Sequence, residues 1–304
     1  MNKIESIRLM MFANIKYRFA QLLVPVFILG LTFNSSAQEF AHQTFKDTRV
    51  INTPSIETLQ KRKLDFRIAH RFGDLAGDNG GWSTFYGLEN AADILFGFEY
   101  GVTDQLTLGF SRTKGAGPLK QLLNGSAKYR ILRQHKEGGT PLSITVYALT
   151  SFSTSESVDD PEVLNSFPKT AHRFANHISL LIGRKFSDRF SLQVIPAYTH
   201  RNLVATQDEN GLFSLGFATR LQLSKVFGVI VDGTFPFSDI RNSENGYYPA
   251  LGIGLEVETG GHVFQINLTN ATGIMETDYI PNTRSNWGDG EFRLGFTISR
   301  LFNL

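Results

Sequence analysis

Hydrophobic and polar residues alternate with a period of two along most of this chain. Near its end, Phe292, Leu294, Phe296 and Ile298 alternate with Arg293, Gly295, Thr297 and Ser299, and the frame runs on through Arg300 to Phe302. Such alternation marks a β-strand with one apolar face. The pattern recurs upstream at Leu64-Phe66-Ile68, Ile94-Phe96-Phe98-Tyr100, Leu106-Leu108-Phe110, Ala127-Tyr129-Ile131 and Leu142-Ile144-Val146. It continues at Phe174-Ile178-Leu180-Ile182, Phe190-Leu192-Val194-Tyr198 and Phe213-Leu215-Phe217-Leu221-Leu223. Phe227-Val229-Val231-Phe235, Leu251-Ile253-Leu255-Val257 and Phe264-Ile266-Leu268 complete the set. Twelve strands are predicted, an even number, with the fourth the least regular.

The connections alternate in length. Tight turns are expected at 102–104, 186–189, 224–226 and 259–261, and long loops at 73–90, 153–173 and 271–290. Short turns at one end and long loops at the other are the layout of a closed antiparallel transmembrane β-barrel. The turn at 133–140 is longer than its place on the short side predicts. Residues 63–304 divide into about twenty per strand with its connection, enough for a membrane-crossing strand of about 9–11 residues.

The face opposite the apolar one carries Asp65, Arg67, Glu99, Lys128, Arg130, Arg220, Asp232, Glu256 and Arg293, among many Gly, Ser and Thr. These nine are the candidate lumen-lining residues, because both signs of charge near strand centres suit a wet or salt-bridged interior. The alternative is a soluble exported β-sandwich or barrel with a phenylalanine-rich core. It accounts for the alternation, but less well for a dozen apolar faces so rich in Phe set against mid-strand charge.

Ahead of the barrel, Lys3, Arg8, Lys16 and Arg18 precede an apolar run of about fifteen residues, Phe19 to Phe33, followed by Ser35-Ser36-Ala37. This is the pattern of a secretory signal peptide over 1–37, too short and too interrupted by Pro25 for a membrane anchor. Residues 38–62 are then an N-terminal segment that either hangs on the short-turn side, in the periplasm, or folds into the lumen as a plug.

Composition narrows the function classes. With 30 basic and 28 acidic residues of 304, no polybasic surface points to nucleic acid. The lack of cysteine excludes disulfides, thiolate metal sites and a cysteine nucleophile. The mean hydropathy of −0.12 does not fit a bundle of membrane helices. No cofactor is implied. His70, His135, His172, His200 and His262 scatter without ligand spacing. The acidic stretches 74–79 and 157–160 lack regular calcium-loop spacing and read as solvated loops. Gly115-Ala-Gly-Pro-Leu-Lys120 hints at a phosphate loop but lacks its Gly-Lys-Ser/Thr ending, and reads as an exposed loop. Asn176-His177-Ile178-Ser179 resembles the His-x-Ser of outer-membrane phospholipase A, yet Ser179 is expected opposite about Pro196, with no group to orient the histidine.

The stretches Thr44–Asn52, Leu64–Gly73, Phe98–Asp104, Lys128–Gln134 and His262–Asn270, in that order, resemble an uncharacterised family of exported β-barrels, the domain-of-unknown-function 5777 family. The resemblance covers about residue 42 to the end and implies an outer-membrane barrel of a diderm bacterium; it points to no particular activity, so no catalytic residue carries over. A narrow channel for small polar solutes or ions is the leading expectation. A non-conducting scaffold barrel that binds a partner or lipid comes second, and a lipid hydrolase third. The expected partners are outer-membrane lipid, the solutes themselves and the barrel-insertion machinery during biogenesis.

Overall fold

The computed structural model describes residues 40–41, 43–160 and 163–304. The expected signal peptide lies outside them. Twelve strands run β1 (Lys63–Phe72), β2 (Ala91–Gly101), β3 (Leu106–Thr113), β4 (Leu122–Leu132), β5 (Ser143–Ser153) and β6 (Phe174–Lys185). They continue as β7 (Phe190–Arg201), β8 (Gly211–Gln222), β9 (Phe227–Phe237), β10 (Ala250–Thr259), β11 (His262–Thr269) and β12 (Arg293–Asn303). Each pairs antiparallel with its sequence neighbours, and β1 pairs with β12 from Lys63↔Asn303 to Arg71↔Gly295, so the sheet closes into a barrel. Closure leaves no strand edge with unpaired backbone groups. The fourth strand starts at Leu122, earlier than its irregular alternation indicated, because Leu122 and Asn124 are also inward-facing and buried.

The two faces of the sheet are sorted opposite to a soluble protein. The outward side chains of Phe96, Phe98, Phe110, Phe213 and Ile266 are about half exposed or more. Inward positions hold the buried Asp93, Thr145, Gln193, Asp232 and Thr269, none more than 0% exposed. A continuous apolar exterior over a polar interior is unfavourable in water and favourable in hydrocarbon. Among the described residues no helix is long and apolar enough to cross a membrane.

The strand connections reproduce the predicted alternation. One end has the turns at 102–105, 186–189, 223–226 and 260–261, the last built on Gly260 and Gly261 with positive φ. Both the start of β1 and the end of β12 lie at this end. At the other end are the long loops, of which the one between β11 and β12 carries α1 (Glu276–Asn282).

Candidate functional site

The interior is occupied by two inserts that come from opposite ends. The first is formed by residues 44–57, just before β1. Its chain reverses between Arg49 and Pro54, which form an antiparallel bridge, while Val50 N donates to Thr53 O and Ser55 N to Thr48 O. It is therefore a short β-hairpin with its tip at Ile51-Asn52. Both arms return to the short-turn end: Leu59 N donates to Thr107 Oγ1, Lys61 N to Asp104 Oδ1 and Arg62 N to Gly101 O.

Wall side chains hold this hairpin by its backbone. Asp232 accepts from three consecutive amides, Ile51 N at 3.2 Å, Asn52 N at 2.6 Å and Thr53 N at 2.8 Å, and also from Asn52 Nδ2 at 2.8 Å. Arg71 and Thr269 donate to Asn52 Oδ1. Gly252 leaves the space: a Cβ there would stand 2.9 Å from both Asn52 Nδ2 and Ile51 Cγ2. Further down, Gln193 accepts from Ile56 N and donates to Pro54 O, Thr145 donates to Ile56 O, and Lys128 donates to Thr48 O. Val50, Ile51 and Ile56 share an apolar cluster with the inward Tyr147, Leu149, Leu181, Ile195 and Ile230. The interior is thus not polar throughout; β5 to β9 offer the hairpin an apolar strip that a period of two does not distinguish from the polar face.

The second insert is the loop from the other end, with α1. Asp278 accepts from Ala116 N at 2.8 Å and Gly117 N at 2.7 Å. The segment at 115–120 is therefore not a free exposed loop: its adjacent amides form an anion-holding turn, and its anion is a carboxylate of the same chain. Burial and then the nearby Asp93 push the Asp278 carboxyl up to about 6, against the pull of those two amides. Asp93 accepts from Ile274 N and Gly115 N, which ties the loop to β2. Tyr279 and Ile280 pack with Ala250 and Ala271. The two inserts meet at the ion pair of Arg49 Nη2 with Glu276 Oε1 at 2.6 Å, and burial is more than offset there, so the guanidinium is raised further.

The nine candidate lumen residues divide by partner. Arg220 pairs with Glu256 at 2.6 Å, wall to wall. Arg67 bonds Asp47 of the hairpin and Asp65 of its own strand. Arg293 donates to Asn270 O at 2.7 Å, at the base of the β11–β12 loop. Asp232 takes the hairpin amides and forms no ion pair with a wall cation among the described residues. Arg130 sits near the short-turn rim, where it donates to Asp104 O at 2.5 Å, and not at a strand centre. Glu99 borders a small crevice of about 30 Å³ left between the hairpin and the wall, together with Arg49, Arg67, Gly109, Ser126 and Tyr147.

The long 133–140 turn has a physical reason. The chain upstream of the hairpin rests on it: Ala41 N donates to Gln134 O at 2.8 Å, Phe40 bridges to His135 with the two rings tilted and 4.7 Å apart, and the Arg133 guanidinium lies 5.0 Å from the Phe40 ring. His177 and Ser179 both point inward and are buried, but His177 Nδ1 bonds Thr199 Oγ1 at 2.9 Å and Ser179 pairs with Ala197, one residue from the expected Pro196. In the acidic loop 74–79, Asp74 accepts from Gly77 N and Asn79 N as a turn, and no cluster of metal-ligating side chains occurs among the described residues.

A family model described as a membrane-bound beta barrel domain, DUF5777, matches residues 45–302. No curated protein matches the chain. Among solved structures, the NanC porin is 10% identical over 79% of this chain and 100% of its own, with a TM-score of 0.47. An outer membrane channel from Pseudomonas putida F1 is 12% identical over 81% and 98%, with a TM-score of 0.49. The outer membrane protein Omp33 of Acinetobacter baumannii is 9% identical over 80% and 99%, with a TM-score of 0.40. These are likenesses of the barrel alone.

Proposed function

The chain belongs to the DUF5777 family of membrane-bound β-barrel domains, and from that premise we propose that it is a narrow outer-membrane channel for small polar solutes or ions, closed by its own N-terminal hairpin. Residues 44–57, within the N-terminal segment, are in this reading a plug, and the short turns face the periplasm. The single observation that carries the reading is the way the hairpin is held. Its tip is bound through amides to one wall carboxylate, Asp232, and no covalent link or threading fixes it. Both of its arms leave at one end, so it can withdraw without passing through the barrel. The wall it would vacate bears Asp65, Arg67, Arg71, Glu99, Lys128, Asp232 and Glu256, groups that water or a polar solute would satisfy. The crevice beside β2 to β4, lined by Gly109 and Ser126, is where a path opens first.

Planar-bilayer recording tests this. The full mature chain shows small or infrequent openings, and Asp232→Ala raises conductance or open time severalfold. A variant that remains silent, while its hairpin is demonstrably released, supports a non-conducting scaffold barrel in place of the channel.

A further inference from the structure

We infer that the barrel relays a change at its long-loop end to its N-terminal segment at the short-turn end, because two inserts from opposite ends share two arginines. The first is Arg49 of the hairpin, whose guanidinium bonds Glu276 Oε1 at 2.6 Å and Ile274 O at 3.4 Å, both in the β11–β12 loop. The second is Arg71 of β1. Its Nη2 donates to Asn52 Oδ1 at the hairpin tip at 2.7 Å, while its Nη1 donates to the carbonyls of Ala271 and Gly273 in the loop. One guanidinium of the wall thus holds both inserts at once.

The charges at this junction cannot be left alone. Glu276 is 1% exposed and its remaining partner is the Tyr147 hydroxyl at 3.3 Å. Removing one member of a buried ion pair leaves the other uncompensated in a low-dielectric site, which is far costlier than losing a surface pair. If a ligand at the long-loop end draws the loop outward, Arg49 loses its carboxylate and Arg71 its two carbonyls. The hairpin is then weakened at its tip. The coupling is reciprocal, so withdrawing the hairpin weakens the loop to the same degree. The output lies where the chain leaves the barrel, on the 133–140 turn that seats Phe40 and Ala41. The relay needs no open pore and stands apart from the channel reading.

The chain has no cysteine, so single reporters are clean. Ile51→Cys reports on the hairpin and Ile280→Cys on the loop; both positions are buried. Maleimide labelling is measured on the full mature chain folded in phospholipid vesicles, with β-sheet circular dichroism confirming the barrel. Glu276→Ala speeds labelling at Ile51→Cys by about tenfold or more, and Arg49→Ala does the same at Ile280→Cys. Glu276→Gln, which keeps the shape and removes the charge, moves the hairpin reporter in the same direction. The swap of Arg49→Glu with Glu276→Arg returns both rates to within about threefold of the parent, which loss of packing alone would not do. The relay is overturned if each reporter responds only to changes in its own insert, or if the swap leaves both fast. A barrel that never conducts leaves these rates unchanged, so this inference and the channel reading fail separately.

Discussion

The outer and inner faces of the same twelve strands are built by different rules. Outside, Phe96, Phe98, Phe110 and Ile266 are exchangeable in kind: each meets the same surroundings, and what matters is that all are apolar. Inside, many side chains have a particular partner. Asp232 reads three amides, Gln193 reads a donor and an acceptor, Lys128 reads one carbonyl and Arg71 reads two inserts. The outer face specifies a solvent, and the inner face specifies a peptide.

That contrast is sharpened most by Asp232→Ala. It leaves the amides of Ile51, Asn52 and Thr53 buried without an acceptor, at about 1–3 kcal/mol each where they cannot relax. The hairpin is expected to leave, with labelling of Ile51→Cys faster by well over tenfold. On the outer face, Phe110→Arg costs about 2–4 kcal/mol by placing a charge in hydrocarbon, read from denaturant unfolding out of vesicles. Its neighbour Ser111, on the inner face, only accepts from Asn124, so Ser111→Ala costs about 1 kcal/mol or less. Equal penalties at these adjacent positions would erase the distinction between the faces.

A smaller effect concerns pH. The Asp278 carboxyl is raised to about 6 in the docked loop, from an ordinary value near 3.8. A raised native value means that the contribution to docking is full below about pH 4 and is lost as pH climbs through about 6. Trp287 lies in this loop, so its emission in a Trp82→Phe variant should shift to the red between those limits, and Asp278→Asn should abolish the shift. The smallest effect is at Asp208. Burial opposes its charge, but Arg241 and Arg201 outweigh that and hold it at about 2. The carboxylate's contribution is present above about pH 4 and fades as pH falls toward 2. The group is half-buried and partly screened by solvent, so Asp208→Asn costs about 1 kcal/mol in the same unfolding experiment.

The two rules also explain what the sequence made readable. Any position facing hydrocarbon must be apolar, so the outer face writes a period of two into the chain, and strand number, order and loop asymmetry follow from it. The hairpin writes no period. Thr44 to Glu57 packs polar groups on a polar wall and apolar groups on the strip from Tyr147 to Ile230, and satisfies its backbone through side chains far away in sequence. Its traces were indirect: the overlong 133–140 turn, which seats the incoming chain, and the dense run Thr48-Arg-Val-Ile-Asn-Thr-Pro-Ser55 before the first strand. The Gly115-Ala-Gly117 stretch reads in sequence only as an exposed loop, because the carboxylate its amides hold, Asp278, lies more than 150 residues away.

Everything rests on which face meets the hydrocarbon, and quenching by brominated lipid measures that directly. With Trp82 and Trp287 replaced by Phe, a single tryptophan is placed outward by Phe98→Trp or inward by Leu181→Trp. Strong quenching of the first and little of the second is the predicted result. Equal quenching of both, or the reverse order, would contradict the inside-out barrel.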